Sequence, residues 1–325
     1  MERSQRALIL WRMATSAGQH SASAQRESSA APPIQTEALF KRYGATLAVE
    51  QLSLSVARGE VYGYLGPNGA GKTTTIRLLL GLHRASSGAA RLFGADAWRE
   101  AASAHRRVAY VAGEPALWPS LTGEETFRFL ASVRGGVDLA YRKQLIERFE
   151  LDTNKRVRAL SKGNRQKVAL IAALCTRADL LILDEPTSGL DPLMEVAFRE
   201  CVHEAKALGQ TVFLSSHILG EVEALCDRVG ILRRGRLVDE GTLAELRHLS
   251  SHTVQATFAG PVPLLPCLDG VSETGREEHT LSLRVSGEIA PLLAELARHE
   301  LVGLSCREPS LEEIFLEHYD RHSGR

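Results

Sequence analysis

The sequence predicts an α/β fold in which helices cover a largely parallel sheet. From Ile34 onward, short β-like runs alternate with helical runs, and the helical runs are long enough to be crossover connections. One of the β-like runs, residues 61–65, leads directly into a glycine-rich loop and then into a helix. Parallel strands need crossovers of this kind, and the helices bury both faces of the sheet. At 325 residues the chain is long enough for a main domain and a smaller one.

Each β-like run carries its own strand pattern. Leu52, Leu54 and Val56 alternate with polar residues, as in a half-buried strand. Apolar runs predict further strands at residues 61–65, 108–111, 180–183, 211–215 and 229–232. A helix is predicted from Thr73 to Leu82 because apolar residues recur at helical spacing there.

Two segments break the alternation. Strand signals vanish between residues 120 and 176, and Thr122 with Glu125 forms a capping box that opens a helix, so a helical subdomain is predicted at about 120–176. The composition changes again at about residue 248. Beyond it we predict strands at 254–258 and 281–285 and helices at 289–298 and 310–319, the last opened by a Ser310–Glu313 capping box.

These patterns predict three regions. Residues 1–33 are rich in Ser, Ala, Gln and Arg without apolar periodicity, which indicates a disordered tail or a start codon placed too early. Residues 34–247 form the main domain, and residues 248–325 form a small α+β accessory domain.

Composition excludes several kinds of protein. Lys+Arg and Asp+Glu are both 39, so no net charge favours a nucleic-acid partner. The five cysteines are far apart and form no CxxC pair, which predicts buried thiols in a reducing compartment and neither disulfides nor a zinc site. No apolar run approaches the roughly 18–20 residues needed to span a bilayer.

The glycine-rich loop is the strongest functional motif. It has the pattern GxxxxGK[ST] between a strand and a helix, the context that indicates a nucleotide phosphate site. Glycines allow backbone N–H groups to converge on the phosphates, and the helix N-terminus adds about half a positive charge. Lys72 is expected to reach the β- and γ-phosphates, and the Thr73 hydroxyl to bind Mg²⁺. The predicted ATP-binding residues are Gly66, Pro67, Asn68, Gly69, Ala70, Gly71, Lys72, Thr73 and Thr74.

A pair of carboxylates follows the apolar run at residues 180–183. Hydrolysis needs one carboxylate to hold Mg²⁺ and another to orient water and accept its proton, and two consecutive carboxylates at the end of a strand supply both. Asp184 is predicted to be on the metal side and Glu185 to be the general base.

Together with the segment from Leu160 to Lys167, these motifs resemble the ATP-binding cassette (ABC) family over about residues 34–245. The resemblance implies a P-loop NTPase cassette with a mainly parallel core, an antiparallel β part and the inserted helical subdomain. It also implies that Ser161, Lys162, Gly163 and Asn164 form the signature that contacts the γ-phosphate of a second copy. Lys162 and Asn164 depart from the usual LSGGQ, but the serine hydroxyl and one glycine remain.

The resemblance extends to other positions. Tyr43 matches the aromatic residue that stacks on adenine, and His217 matches the switch histidine, which is grouped with Glu185 in catalysis. Ser188, Gly189, Leu190 and Asp191 match the loop that communicates across the dimer.

One departure concerns hydrolysis. The family usually has a glutamine soon after the strand at 108–111, where it senses Mg²⁺ and the attacking water, whereas this chain has Ala112, Gly113 and Glu114. Either Glu114 supplies an oxygen ligand to the metal or the contact is absent. We hypothesise that hydrolysis is slow or depends on a permease.

Two further segments concern partners. Trp118 lies where the family receives the coupling helices of the membrane subunit, and it either forms an exposed anchor or packs the helical subdomain. Residues 308–316 resemble the C-terminal part of drug- and antibiotic-export ATPases, including daunorubicin-resistance-like proteins.

The predicted function is therefore that of an ATP-hydrolysing subunit that powers efflux of a drug, antibiotic or lipid-like cargo. The expected cofactors are ATP and Mg²⁺. The expected partners are a second copy in a head-to-tail dimer and a separate multispanning permease, with no nucleic acid, at the inner face of the cell membrane. The alternatives are a soluble cassette protein acting on ribosomes or nucleic acid, and an importer ATPase.

Overall fold

The computed structural model describes residues 31–248 and 252–307. Over these residues the strands are β1 (Ile34–Tyr43), β2 (Thr46–Val56), β3 (Val61–Leu65), β4 (Ser87–Leu92), β5 (Ala95–Asp96), β6 (Val108–Val111), β7 (Leu180–Asp184), β8 (Thr211–Ser216), β9 (Arg228–Arg233), β10 (Arg236–Thr242), β11 (His252–Phe258), β12 (Val271–Arg276), β13 (Thr280–Val285) and β14 (Leu301–Arg307). The helices are α1 (Lys72–Leu79), α2 (Ala101–His105), α3 (Gly123–Arg134), α4 (Leu139–Arg148), α5 (Lys162–Leu174), α6 (Pro192–Ala207), α7 (Leu219–Leu225), α8 (Leu243–His248) and α9 (Ala290–Leu296).

A six-stranded sheet forms the centre of the cassette, in the order β10-β9-β3-β8-β7-β6. Neighbouring strands from β9 to β6 are parallel, and only β10 is antiparallel to its neighbour. Every residue of β3, β7 and β8 is buried, as expected for parallel strands covered on both faces. The predicted parallel core is thus confirmed.

A second sheet is antiparallel, in the order β2-β1-β4-β5. Its apolar side packs with α1 and with aromatic residues of the central sheet, since Leu39 and Leu52 share one buried cluster with Tyr64 and Phe213. This sheet is the predicted antiparallel β part, and it places Ala48 of β2 against Gly71 of the nucleotide loop.

Helices α3, α4 and α5 lie within the predicted helical subdomain. Thr122 and Glu125 form the predicted capping box, with the Thr122 side chain accepting from the Glu125 N–H and the Glu125 carboxylate accepting from the Thr122 N–H. On the core side, Tyr141 and Arg148 of α4 both donate to the Glu204 carboxylate of α6, at 2.8 and 2.7 Å. This shared acceptor ties the helical segment to the cassette.

Residues 252–307 form a third sheet, in the antiparallel order β12-β13-β11-β14. Helix α9 buries Leu292 and Leu296 against Val254 and Leu283 in a hydrophobic cluster separate from the two clusters of the cassette. The predicted strands at 254–258 and 281–285 and the predicted helix at 289–298 are confirmed, the helix with shorter bounds. The predicted helix at 310–319 and most of the predicted tail lie outside the described residues. The division into domains stays a prediction, which this separate core supports.

Two sequence predictions were wrong. Helix α1 ends at Leu79 and not at Leu82, because Gly81 adopts φ 60°, a left-handed conformation that an α-helix does not continue. Cys175, Cys201 and Cys226 are buried as predicted, but Cys267 and Cys306 are exposed. Cys267 lies in the loop between β11 and β12, and Cys306 lies on β14, an edge strand whose last four residues are all exposed.

Among the described residues, no helix combines the length and apolar character needed to cross a bilayer.

Candidate functional site

The glycine-rich loop joins β3 to α1 and is shaped by close backbone packing. A Cβ atom at Gly66 would lie 2.6 Å from the Leu232 carbonyl oxygen, and one at Gly71 would lie 2.4 Å from the Ala48 carbonyl oxygen. Gly71 also has φ 110°, in the region that favours glycine. Asn68 and Gly69 form the exposed tip of the loop. The glycines are therefore needed for the fold of the loop itself as well as for access of a ligand.

Lys72 and three threonines begin helix α1. Lys72 is only 5% exposed, and its ammonium donates to the Gly66 carbonyl oxygen at 2.6 Å. The Thr75 hydroxyl donates to the Gly71 carbonyl oxygen and contacts the Tyr64 hydroxyl, so its hydrogen-bonding capacity is used within the protein. Within the described part of the chain, the hydroxyls of Thr73 and Thr74 form no hydrogen bond to protein groups. The hydroxyl of Thr73, like that of Thr74, is thus uncommitted, and Thr73 is the residue predicted to bind the metal ion.

The carboxylate pair lies at the end of β7, beside β8. The Ser215 hydroxyl donates to Asp184 Oδ1 at 2.5 Å, and the Glu185 N–H donates to the Ser215 carbonyl oxygen at 3.0 Å. Glu185 adopts φ 47°, which is uncommon for a residue with a side chain and is stabilised here by its hydrogen bond to β8. Burial and the nearby charge of Asp184 raise the pKa of the Tyr110 hydroxyl to about 12.

Glu185 is the centre of a charged cluster. Its Oε1 lies 3.5 Å from Lys72 Nζ and 3.4 Å from His217 Nδ1. Glu185 and His217 directly follow the neighbouring strands β7 and β8, and Lys72 begins α1 after the loop that follows β3, the strand on the other side of β8. The structure therefore brings together the predicted loop lysine, the predicted base and the predicted switch histidine.

The signature residues contact the predicted dimer loop of the same chain. Ser161 is the N-cap of α5 and accepts from the Asn164 N–H. Lys162 donates to the Ser188 hydroxyl at 2.8 Å. A Cβ atom at Gly163 would lie 2.2 Å from the Gly189 carbonyl oxygen, so only glycine fits there.

The dimer loop has its own internal bonds. The Leu190 N–H donates to the Thr187 carbonyl oxygen at 2.9 Å, and Asp191 caps α6 by accepting from the Met194 N–H at 3.1 Å. Gln166 of α5 donates to the Pro186 carbonyl oxygen from a fully buried position. The loop and the start of α5 therefore form one connected unit.

Tyr43 lies at the end of β1 and is 41% exposed. Its hydroxyl is hydrogen-bonded to His83 Nδ1, and the Lys41 ammonium lies 4.7 Å from the centre of its ring. A flat, exposed ring in this setting can stack against a nucleotide base.

Gly113 packs directly behind the carboxylate pair. A Cβ atom at Gly113 would lie 3.2 Å from the Asp184 carbonyl oxygen and 3.6 Å from Glu185 Cβ. Glu114 is exposed and, in the part of the chain that the structure describes, forms no hydrogen bond or ion pair. It lines an open, mostly apolar groove of about 420 Å³ together with Pro115 and Leu117.

Trp118 has features of both predicted roles, an exposed anchor and a residue that packs the helical subdomain. It is 50% exposed, and its ring packs edge-on against Phe129 of α3 at a centroid distance of 4.7 Å.

The residues that support the site from neighbouring strands were not predicted from the sequence. Ser215 orients Asp184, and nothing near residue 184 in the sequence indicates which strand lies beside β7. The contact between Lys162 and Ser188 was also missed, although the lysine that replaces a glycine in the signature is a visible departure from the usual pattern.

A β-strand, phosphate loop and helix, with a carboxylate pair at the end of a second strand, define a P-loop nucleoside triphosphatase.

A family model for ABC transporters matches residues 49–188. The chain is 39% identical over 214 residues to the bacitracin transport ATP-binding protein of Bacillus licheniformis, covering 64% of this chain and 69% of the relative. It is 34% identical over 301 residues to the linearmycin resistance ATP-binding protein of Bacillus subtilis, covering 87% of this chain and 97% of the relative.

Another relative is the daunorubicin/doxorubicin resistance ATP-binding protein of Streptomyces peucetius, which is 35% identical over 300 residues, covering 87% of this chain and 91% of the relative. A solved ATP-binding subunit of an ABC transporter has a TM-score of 0.61 and 35% identity, covering 66% of this chain and 91% of that one. A dimeric bacterial cassette with a TM-score of 0.60 and 21% identity, covering 65% of this chain and 98% of that one, shows the same fold.

This chain belongs to the ABC transporter family. It is an ATP-binding and ATP-hydrolysing subunit of the exporter type.

Proposed function

We propose that two copies of this chain close around two ATP molecules and thereby drive a separate membrane permease that exports its cargo. The observation that carries this proposal is the cluster of the phosphate-loop residue Lys72 with Glu185 and His217, which follow the adjacent strands β7 and β8. Residues 66–74 would hold the phosphates, and Tyr43 would stack on the adenine.

Glu185 is the proposed general base for hydrolysis. Its carboxylate would orient the attacking water and accept its proton, and the hydrogen bond from its N–H to Ser215 keeps it at the end of β7. His217, whose side chain is 47% exposed, would contact the γ-phosphate from the end of β8.

The side chains present fit a magnesium ion. Thr73 has an uncommitted hydroxyl, and Asp184 has a carboxylate oriented by Ser215, so both offer the oxygen ligands that Mg²⁺ prefers. Among the described residues, no group of three or more His, Cys, Asp or Glu side chains could hold a metal ion alone. The remaining ligands would be phosphate oxygens and water, as is usual for nucleotide-bound Mg²⁺. When bound, the ion neutralises phosphate charge, and Glu114 is the proposed additional oxygen ligand.

The signature would act on the ATP held by the other copy. Ser161 and Lys162 are exposed at the start of α5, where the backbone N–H groups and the serine hydroxyl suit an anion. Residues 188–191 are bonded to the same helix start and would transmit closure between the two copies.

The permease would dock beside the helical segment, at the inner face of the cell membrane. The apolar groove lined by Pro115 and Leu117 and the exposed ring of Trp118 are proposed to receive its cytoplasmic helices. The cargo would be an antibiotic, a drug or a lipid-like molecule. The names of the bacitracin, linearmycin and daunorubicin relatives support export over import, and over action on ribosomes or nucleic acid.

The test compares the wild-type chain with Glu185→Gln, using Glu200→Gln on the exposed side of α6 as the matched control. Glu185→Gln should lower ATP hydrolysis at least about 100-fold and should accumulate an ATP-dependent dimer in size-exclusion chromatography. Glu200→Gln should behave like the wild type. Rapid hydrolysis by Glu185→Gln, or a monomer with saturating ATP, would contradict the proposal.

Export is tested separately. Cells that produce the chain together with its multispanning permease should become resistant to at least one amphipathic antibiotic, and a Lys72→Ala variant should abolish that resistance. Recovery of the chain with ribosomes or DNA, and not with membranes, would contradict the exporter assignment.

A further inference from the structure

The backbone on both sides of His217 depends on one buried hydroxyl. Ser216 Oγ accepts a hydrogen bond from the Ile218 N–H at 3.0 Å and donates its proton to Glu221 Oε2 at 2.6 Å. The other acceptor within reach is the Ile218 carbonyl oxygen at 3.4 Å, so the carboxyl group is the stronger partner. Residues 216, 218 and 221 therefore form a bracket around His217.

The His217 ring has few contacts of its own. Its side chain is 47% exposed, and its ion-pair partner among the described residues is Glu185 Oε1 at 3.4 Å. A half-exposed ring with one recorded ion-pair partner depends on its backbone for much of its orientation. The bracket supplies that orientation because it fixes the peptide groups that flank His217.

Glu221 is itself held rigidly. It lies in the first turn of α7, a helix whose N-cap, Ile218, supplies no side-chain cap. The next residue, Val222, is fully buried, and Leu225 is 4% exposed, so the helix cannot shift without disrupting the core.

We propose that Glu221 is a positioning residue for the ATPase reaction, which holds His217 at the γ-phosphate position through the Ser216 hydroxyl. This inference rests on the proposed role of His217. Glu221 makes no contact with the phosphate loop in this arrangement and acts only through the bracket.

The surroundings of Glu221 shift the pKa of its carboxyl group upward. Burial raises the pKa of this carboxyl group, and Glu195 raises it further, while the hydroxyls of Ser216 and Thr187 and the charge of His217 oppose the change. Its Oε1 is buried and forms no hydrogen bond of normal geometry, although the Thr187 hydroxyl lies close enough to affect the pKa. The charged groups of α6 that face the adjoining cavity of about 320 Å³ are Glu195 and Arg199.

A glutamine can replace Glu221 as the acceptor for the Ser216 hydroxyl. Its amide oxygen can accept the Ser216 proton as the carboxyl oxygen does, and its NH₂ group adds no charge to the buried site. An alanine removes the acceptor and leaves the Ser216 hydroxyl with the more distant Ile218 carbonyl oxygen.

The experiment measures ATP hydrolysis, under single-turnover conditions for slow variants, together with fluorescent-ATP affinity and thermal melting. Glu221→Ala and Ser216→Ala should each lower kcat about 10-fold, with KM for ATP changed less than about 2-fold. Glu221→Gln should retain a kcat within about 3-fold of the wild type. Glu200→Ala, at an exposed position on the neighbouring helix, is the matched control.

The combination with His217→Ala separates positioning from general structural damage. If Glu221 acts through His217, the double variant should be no slower than His217→Ala alone, because the two changes remove the same contribution. The inference would be overturned if Glu221→Ala lowered kcat of the His217→Ala variant by the same factor as it lowers kcat of the wild type. A Glu221→Gln variant as slow as Glu221→Ala would also overturn it.

The measurements distinguish a failure of the proposed role of His217 from a failure of the link through Glu221. Wild-type hydrolysis by His217→Ala would overturn the proposed role of His217 and, with it, this inference. Slow hydrolysis by His217→Ala together with wild-type rates for Glu221→Ala and Ser216→Ala would overturn only the link through Glu221.

Discussion

At the scale of single residues, the phosphate loop shows two different requirements for glycine. Gly71 has a positive φ and also lies against the Ala48 carbonyl oxygen, whereas Gly69 has φ 81° with no heavy atom within 4 Å of a Cβ position. Position 71 therefore needs glycine for two reasons, its positive φ and the lack of space for a side chain. Position 69 needs glycine only for its positive φ.

Gly71→Ala should destabilise the protein more than Gly69→Ala does. Left-handed strain costs an alanine roughly 1–2 kcal/mol at either position, and the contact of 2.4 Å with Ala48 adds a displacement of backbone at position 71. Urea unfolding of both variants measures the difference. Equal losses of stability would show that the loop relaxes away from Ala48.

Gly113 and Glu114 bear on the rate of ATP hydrolysis. The isolated chain should hydrolyse ATP slowly, because the position directly behind Asp184 has no side chain and Glu114 is exposed. Glu114→Ala should slow hydrolysis further if this carboxylate is a metal ligand, by about 10-fold in steady-state assays. Rapid turnover that Glu114→Ala leaves unchanged would remove the basis for this prediction.

The residues that the sequence could predict are those that belong to local motifs. Residues 66–74 and the pair Asp184–Glu185 were found because their spacing along the chain is itself the signal. Ser215 and Glu221 act through contacts across the sheet or within the turn after it. Serine and glutamate at such positions are common, so no pattern in a single sequence distinguishes them.

At the scale of elements, the predicted strands were those with dense apolar runs or alternation. β12 and β14 were missed because five of the six residues of β12 and five of the seven residues of β14 are exposed, so their sequences carry no alternation. β12 forms because it pairs with β13, and β14 forms because it pairs with β11. These backbone partners exist only in the folded sheet, so the sequences of β12 and β14 alone do not indicate them.

The capping box of α3 gives a prediction at this scale. Thr122→Ala should destabilise the protein by about 1 kcal/mol, because it removes the acceptor for the Glu125 N–H. Urea unfolding at pH 7 measures this loss, and the exposed Ser132→Ala within the same helix is a control.

The capping box of α3 also predicts how the stability of the protein changes with pH. The Thr122 N–H lowers the pKa of Glu125 below its ordinary value, so the stabilisation is fully present above the pKa of the unfolded state and is lost as pH falls through the folded-state pKa. The stability difference between the wild type and Glu125→Gln should therefore shrink from pH 7 towards pH 4. A difference that grows on acidification would contradict this sign.

At the scale of the whole molecule, the described residues contain separate hydrophobic cores for the cassette and for the C-terminal sheet. Leu283→Ala should lower the stability of the C-terminal part by about 2–5 kcal/mol through a cavity in its small core. Calorimetry should show that the transition stabilised by ATP is unchanged. A single transition that shifts as a whole would show that the two cores unfold together.

The order of strands in the central sheet has a consequence for how this protein family can diversify. β6 is the edge strand, and the helical segment leaves the sheet after β6 and returns at β7 beside it. Lys72, Glu185 and His217 lie beyond the ends of β3, β7 and β8, whereas the signature residues lie at the start of α5, at the far end of the helical segment. Natural or engineered variation in the length and surface of α3 and α4 can therefore change which membrane protein the helical segment fits, while the phosphate loop, the carboxylate pair and the signature stay in place. The choice of permease and the hydrolysis of ATP can then evolve separately.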